Sequence, residues 1–183
     1  MKRGKKRKTK SVLLSDKQLC DAAKKMSGVI DACIICPADI ETAEWVKLKC
    51  WFGCDGYGQC LVCPPYTPSA EQLRKVLDCY NRAILIHFAP GAEPRIKAIV
   101  FELERSIFLQ GAWKALGLGA GPCYFCEECP VEEGHCLQSE RARPSMEACG
   151  IDVFTTVRKA GYPIEVVRTR RQYPNYYGLI LVD

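Results

Sequence analysis

The chain has 183 residues, 13 of them cysteine, with 48% hydrophobic and 26% charged residues and a formal net charge of +5. That balance is typical of a globular fold able to bury a core, and it excludes a disordered chain and a coiled coil. No apolar run reaches the roughly 20 residues of a membrane span.

The charge is uneven. Residues 1–10, MKRGKKRKTK, hold seven Lys or Arg and no acid, which leaves 19 basic against 21 acidic residues elsewhere. Like charges repel and no apolar residue follows Met1 until Val12, so residues 1–12 are expected to form a disordered basic tail, with one α/β metal-binding domain over 13–183. The basic run has no apolar segment behind it, so a secretory leader is not expected and the predicted compartment is the cytoplasm. The tail is read as a solubilising extension of the domain; an arm that touches nucleic acid is the alternative, and nucleic-acid contact is not expected anywhere else in the chain.

In chain order, Ser15 and Gln18 have the spacing of a capping box, and Leu19, Ala22, Ala23 and Met26 follow at helical intervals until Gly28. Residues 29–36, VIDACIIC, read as a strand. Glu41–Trp45 reads as a short helix and Val46–Cys50 as a strand with Val46 and Leu48 on one face. Residues 51–68, with three Gly and three Pro, read as loop. Ser69 and Gln72 repeat the capping box before a helix through Leu73, Val76, Leu77 and Tyr80. Arg82–Phe88 is apolar enough for a central strand. Pro94 suits the first turn of a long helix running to about Leu116, broken by Gly117, Gly119 and Gly121. After an irregular stretch, 122–144, a turn at Met146–Cys149 is closed by Gly150. A helix is expected near Val153–Lys159, then strands at Ile164–Arg168 and Leu179–Val182. The predicted fold is α/β: a single mixed sheet flanked by helices, carrying two long cysteine-rich metal-binding loops.

Eight cysteines occupy two 14-residue windows, Cys50–Cys63 and Cys123–Cys136. An odd total and a core of this size argue against a disulfide framework, and in a reducing compartment clustered cysteines mean metal or redox chemistry. Cys123, Cys126 and Cys129 have the C-x2-C-x2-C spacing of a [4Fe–4S] site, with Cys136 as a fourth thiolate. One tight loop suits a cubane, whose irons take one thiolate each. A zinc ion usually takes its four ligands from two separated knuckles. Zinc remains the alternative. The first window holds Cys50, Cys54, Cys60 and Cys63, where Cys63-Pro64 echoes the Cys-Pro that closes ferredoxin runs. If Cys60, beside the flexible Gly58, does not bind, one iron of that site is open. Gly119 and Gly121 are expected to let backbone N–H groups approach cluster sulfurs.

Cys33 and Cys36 lie in an apolar strand and read as packing residues, as do Cys20 and Cys79 on helix faces. Cys149 is a candidate for a missing ligand. His135, beside Cys136, is a candidate ligand or proton shuttle, while His87 reads as a strand-end residue. Arg141, Arg143, Arg105 and Lys114 are candidate partners for cluster charge. The C-terminal Tyr and Arg residues read as strand surface.

The segments VKLKCWFGCDGYGQCLVCPPYTPS (46–69), GAGPCYFCEECP (119–130) and ARPSMEACGIDVF (142–154) resemble a prokaryotic family of predicted metal-binding proteins of unknown function, found largely in anaerobes. The resemblance runs from about Ala43 to Val167. It implies Cys50, Cys54, Cys63, Cys123, Cys126, Cys129 and Cys136 as the metal-binding set. Cys60 falls where other members often carry another residue. An Arg-His-Pro step common in the family is Leu137-Gln138-Ser139 here.

The expected function is that of a cytoplasmic iron–sulfur protein, with two [4Fe–4S] clusters, in electron transfer or cluster-based reduction with a redox partner protein. The alternatives are an enzyme that uses an open iron of the first cluster for small-molecule substrate or sulfur chemistry, and a zinc-stapled interaction module whose basic tail contacts nucleic acid. No nucleophile–base pair or paired-carboxylate site supports classical hydrolysis.

Overall fold

The computed structural model describes residues 14–169 and 171–183; the basic stretch at 1–12 lies outside them. Five α-helices and four strands follow one another as α1 Asp16–Lys24, β1 Val29–Ile35, α2 Glu44–Gly53, α3 Ala70–Leu77, β2 Ala83–Phe88, α4 Ile96–Leu109, β3 Leu116–Leu118, α5 Val153–Lys159 and β4 Tyr176–Leu181. The sheet order is β1-β2-β4-β3. The expected α/β class, one sheet flanked by helices, is what the chain adopts. Every ladder in the sheet is antiparallel, however, and not mixed.

All six residues of β2 are buried, because the sheet is covered on both faces. Ile84, Ile86 and Phe88 point toward α1 and α4, where they meet Leu19, Ala23, Ile96, Val100, Leu103 and Ile107. Ala83 and Leu85 point the other way, toward Leu73, Leu77, Met146, Ile151 and Val157 from α3, α5 and the turn before α5. The period-2 alternation thus feeds two separate cores. Both capping boxes form: Ser15 Oγ accepts from Gln18 N–H and Ser69 Oγ from Gln72 N–H, at 3.3 and 3.1 Å. Asp152 caps α5 in the same way, accepting from Thr155 N–H at 3.1 Å.

Three expected elements are corrected. Val46–Cys50 is helical, within α2. The alternation that suggested a strand came from side chains exposed on the helix: Leu48 is 49% exposed, whereas Val46 is buried. α4 ends at Leu109, since Gly111 takes a left-handed φ of +110° that no helix continues through, and Leu116–Leu118 pairs as β3. Ile164–Arg168 has no strand partner; only Ile164 reaches the core, while Val166 and Val167 face solvent.

Two glycines fix how the cysteine-rich loops meet this frame. A Cβ on Gly117 would collide with Val100 Cγ1 and lie 2.9 Å from Glu104 Oε2, so β3 approaches α4 only because residue 117 lacks a side chain. Gly150, at φ +83°, ends the 3-10 turn Glu147–Cys149, and a Cβ there would sit 2.8 Å from that of Ala70 at the start of α3.

Candidate metal centre

The loop between α2 and α3 and the loop from 119 to 146 are both tied down at their bases. Gly119 N–H donates to Pro144 O at 2.8 Å and Met146 N–H to Gly119 O at 2.9 Å, which closes the second loop like a drawstring. Lys97 Nζ donates to Arg143 O at 2.7 Å. Arg143 in turn forms a two-pronged pair with Glu104, at 2.7 and 2.6 Å, and Glu104 Oε2 also accepts Gly117 N–H at 2.7 Å. The first loop is held by Lys47 Nζ, which donates to Thr67 O and Pro68 O at 3.0 and 2.9 Å, and by Thr67 Oγ1, which donates to Ala148 O.

The helical state of α2 matters chemically. Cys50 and Cys54 are four residues apart, on one face of a helix and its cap, so both thiols reach the same side. With Cys63 they line a cavity of about 250 Å³ whose other walls include Tyr57, Gly121, Ser145, Glu147 and Tyr176. A second cavity, of about 120 Å³, is lined by Cys60, Cys123, Cys126, Cys129 and Cys136. The two loops touch there: Leu61 N–H donates to Cys129 Sγ at 3.4 Å. One bound water takes only about 10–15 Å³ on this measure, so each void has room for a multi-atom group. Among the described residues no three His, Cys, Asp or Glu side chains meet at one point as ligands of a single ion; the thiols line the walls of voids.

Cys60 is the main rearrangement of the sequence-based picture. It belongs to the first window in sequence and to the second cavity in space. Its thiol lies against Cys123 and Cys63 together, so the two cavities are neighbours. The Cys60 thiol holds Cys63 below the ordinary thiol value, and it pushes Cys123 up, with burial adding to the rise. Burial pushes Cys50 up as well.

The remaining candidates sit elsewhere. Cys149 is buried in the second core, lines neither cavity, and is pushed up to about 12 by burial. Cys33 packs against the same core from β1, Cys36 is exposed, and Cys20 is half-buried on α1. Cys79, expected on a helix face, lies exposed just past the end of α3. His135 is exposed outside both cavities, with Glu133 3.8 Å away. His87 is a satisfied strand residue, within 3.0 Å of Asn175 Oδ1 and stacked on Tyr177 at 4.6 Å. Arg141 stacks over Phe125 at 4.6 Å, Arg143 is spent on Glu104, and Lys114 donates to Cys79 O at 2.8 Å. The N–H of Gly119 is consumed by Pro144, and Gly121 lines the first cavity instead of the second.

Two site residues were missed by sequence reasoning. Lys97 is 4% exposed on α4, near Cys123, Cys63, Cys60 and Glu147; burial lowers its pKa and these acidic groups oppose the drop. The available signal was a Lys and a Glu, Lys97 and Glu104, seven residues apart on the apolar face of a helix. Glu147 was read only as part of a turn. It lines the first cavity, where its Oε2 is buried and has no hydrogen-bond partner among the described residues. Burial pushes its carboxyl above the usual range.

A three-layer α/β fold gathers eight of its thiols around two adjoining voids, which makes this a cysteine-rich α/β protein. The chain belongs to the family described as Predicted metal-binding protein (DUF2284), whose model matches residues 33–182. No curated protein and no solved structure matches it. None of its described helices is long and apolar enough to cross a membrane.

Proposed function

We propose that the chain is an iron–sulfur protein that holds one [4Fe–4S] cluster in each cavity and passes single electrons to and from a redox partner. The observation that carries the reading is the grouping of eight cysteines around two adjoining voids, three at one and five at the other. Thiolates spread around a void suit a cluster, in which each iron takes its own thiolate. In the second cavity Cys123, Cys126, Cys129 and Cys136 would hold the group, with Cys60 as a further thiol. In the first, Cys50, Cys54 and Cys63 would do so. The bound clusters would supply the one-electron redox chemistry. The chain's own residues exclude water, set the local charge and donate hydrogen bonds, Leu61 N–H to Cys129 Sγ among them.

The test is anaerobic purification followed by metal and acid-labile sulfide analysis. About eight iron and eight sulfide per chain are expected for two cubanes. Colourless protein with zinc and no sulfide overturns the reading and favours the zinc-stapled alternative.

Two variants follow from the geometry. Cys60→Ala is expected to alter the paramagnetic spectrum of the cluster that Cys126→Ser removes, and to leave the first cluster as it was; a change confined to the first cluster would contradict the placement of Cys60. Lys97 supplies a buried positive charge beside both sites, which stabilises the reduced, more anionic state of a cluster. Lys97→Met is therefore expected to lower a cluster reduction potential by on the order of 50–100 mV, the effect of a unit charge about 8 Å away at an effective dielectric of about 20. A redox titration that shows no shift would contradict this role.

A further inference from the structure

We infer that Glu147 is the fourth protein ligand of the first cluster. The inference rests on the two-cluster reading and adds a residue to it. With Cys60 turned to the other cavity, the first void has three thiols, Cys50, Cys54 and Cys63, whereas a cubane has four irons. Glu147 lines that same void. Its Oε2 is the one buried side-chain oxygen or nitrogen, among the described residues, that has no partner. The Ser145 side chain, Glu147's own N–H and the charge of Lys97 all favour the carboxylate, yet none bonds Oε2, and native structures rarely keep a buried acceptor unpaired without a purpose. A metal ion would meet that need, and carboxylate oxygen is an ordinary iron ligand.

The backbone around Glu147 is also held in place from several sides. Ala148 N–H donates to Ser145 Oγ at 3.1 Å, Thr67 Oγ1 donates to Ala148 O, and Gly150 closes the turn against Ala70. The first loop and the turn that carries Glu147 are thus fastened together, so Cys63 and Glu147 face the void from opposite segments of chain. Such support is what a ligand needs to be held at its productive position.

The experiment uses the full chain, prepared anaerobically as wild type and as Glu147→Gln, which keeps the size and removes the charge. Ferricyanide takes one electron from an incompletely capped [4Fe–4S]2+ cluster, leaving [3Fe–4S]+ and one free Fe2+. Glu147→Gln is expected to release one ferrous ion per chain and to develop the three-iron paramagnetic signal at least roughly 10-fold faster than wild type, since removing even an outer-shell partner of a metal ligand costs about 10–100-fold in metal affinity. Added 2-mercaptoethanol is expected to protect the variant and change its spectrum, and to leave wild type unaltered. The inference is overturned if wild type itself takes up the thiol, with a changed spectrum, and releases a ferrous ion on ferricyanide treatment that the added thiol suppresses. The wild-type arm alone decides this if the variant does not fold. Iron and sulfide analysis of wild type, done first, shows separately whether the two-cluster reading itself has failed.

Discussion

Cys126→Ser is expected to halve the iron and sulfide bound by the anaerobically prepared protein while the fold survives. Cys126 lines the second cavity with Cys123, Cys129, Cys136 and Cys60, and belongs to neither hydrophobic core. Removing it takes a thiolate from that cluster and nothing from the frame, so far-ultraviolet circular dichroism should match wild type. Cys79→Ser serves as the control. Its thiol is exposed and donates only to Lys75 O, at 3.4 Å, so metal content should not move. Full iron content in Cys126→Ser and also in the double variant Cys60→Ala, Cys126→Ser, which leaves only three thiols at this void, would remove the second cavity from consideration as a cluster site.

Arg143→Met is expected to cost about 3–5 kcal/mol in global stability, the range for stripping one partner from a buried ion pair. The Arg143 and Glu104 side chains are 16% and 10% exposed and meet in two short bonds, so little solvent screens them. Without the guanidinium, Glu104 keeps Gly117 N–H alone as a partner for its charge. The same substitution slackens the base of the second loop, because residue 143 loses its two-pronged tie to Glu104 on α4 and keeps only the bond from Lys97 to its backbone O. Urea unfolding of the anaerobic protein, followed both by circular dichroism and by loss of cluster absorbance, should therefore show the second cluster lost at lower urea than in wild type. A double substitution, Glu104→Leu with Arg143→Met, removes the stranded charge and should recover part of the loss. If Arg143→Met unfolds at the wild-type urea concentration, the pair contributes no net stability and the loop is held by its backbone bonds.

Local chemistry was readable along the chain wherever one short segment decides the outcome. Both capping boxes, the buried strand Ala83–Phe88, the helix Val153–Lys159 and the turn closed by Gly150 depend on neighbours within a few residues, and they form as expected. The two cysteine windows and the α/β class were legible for the same reason. What failed in sequence was the choice between periods. In Val46–Cys50 exposed apolar side chains imitate a strand, and only the contact of α2 with the turn at Glu147–Cys149 shows which face is buried.

Partnership across the chain was decided by tertiary structure alone. Cys60 is three residues from Cys63 in sequence yet lines the cavity of Cys123–Cys136, because the first loop folds its tip onto the second. Lys97 and Glu147 carry no ligand spacing; Glu147 becomes a site residue because the turn before α5 walls the first void, and Lys97 because α4 brings its buried amine near Cys123, Cys63 and Cys60. Spacing fixes which thiols one loop can offer. Which thiols share a void depends on where two loops far apart in the chain are tied down, and that is set by Glu104, Arg143, Gly117 and Thr67 acting at long range.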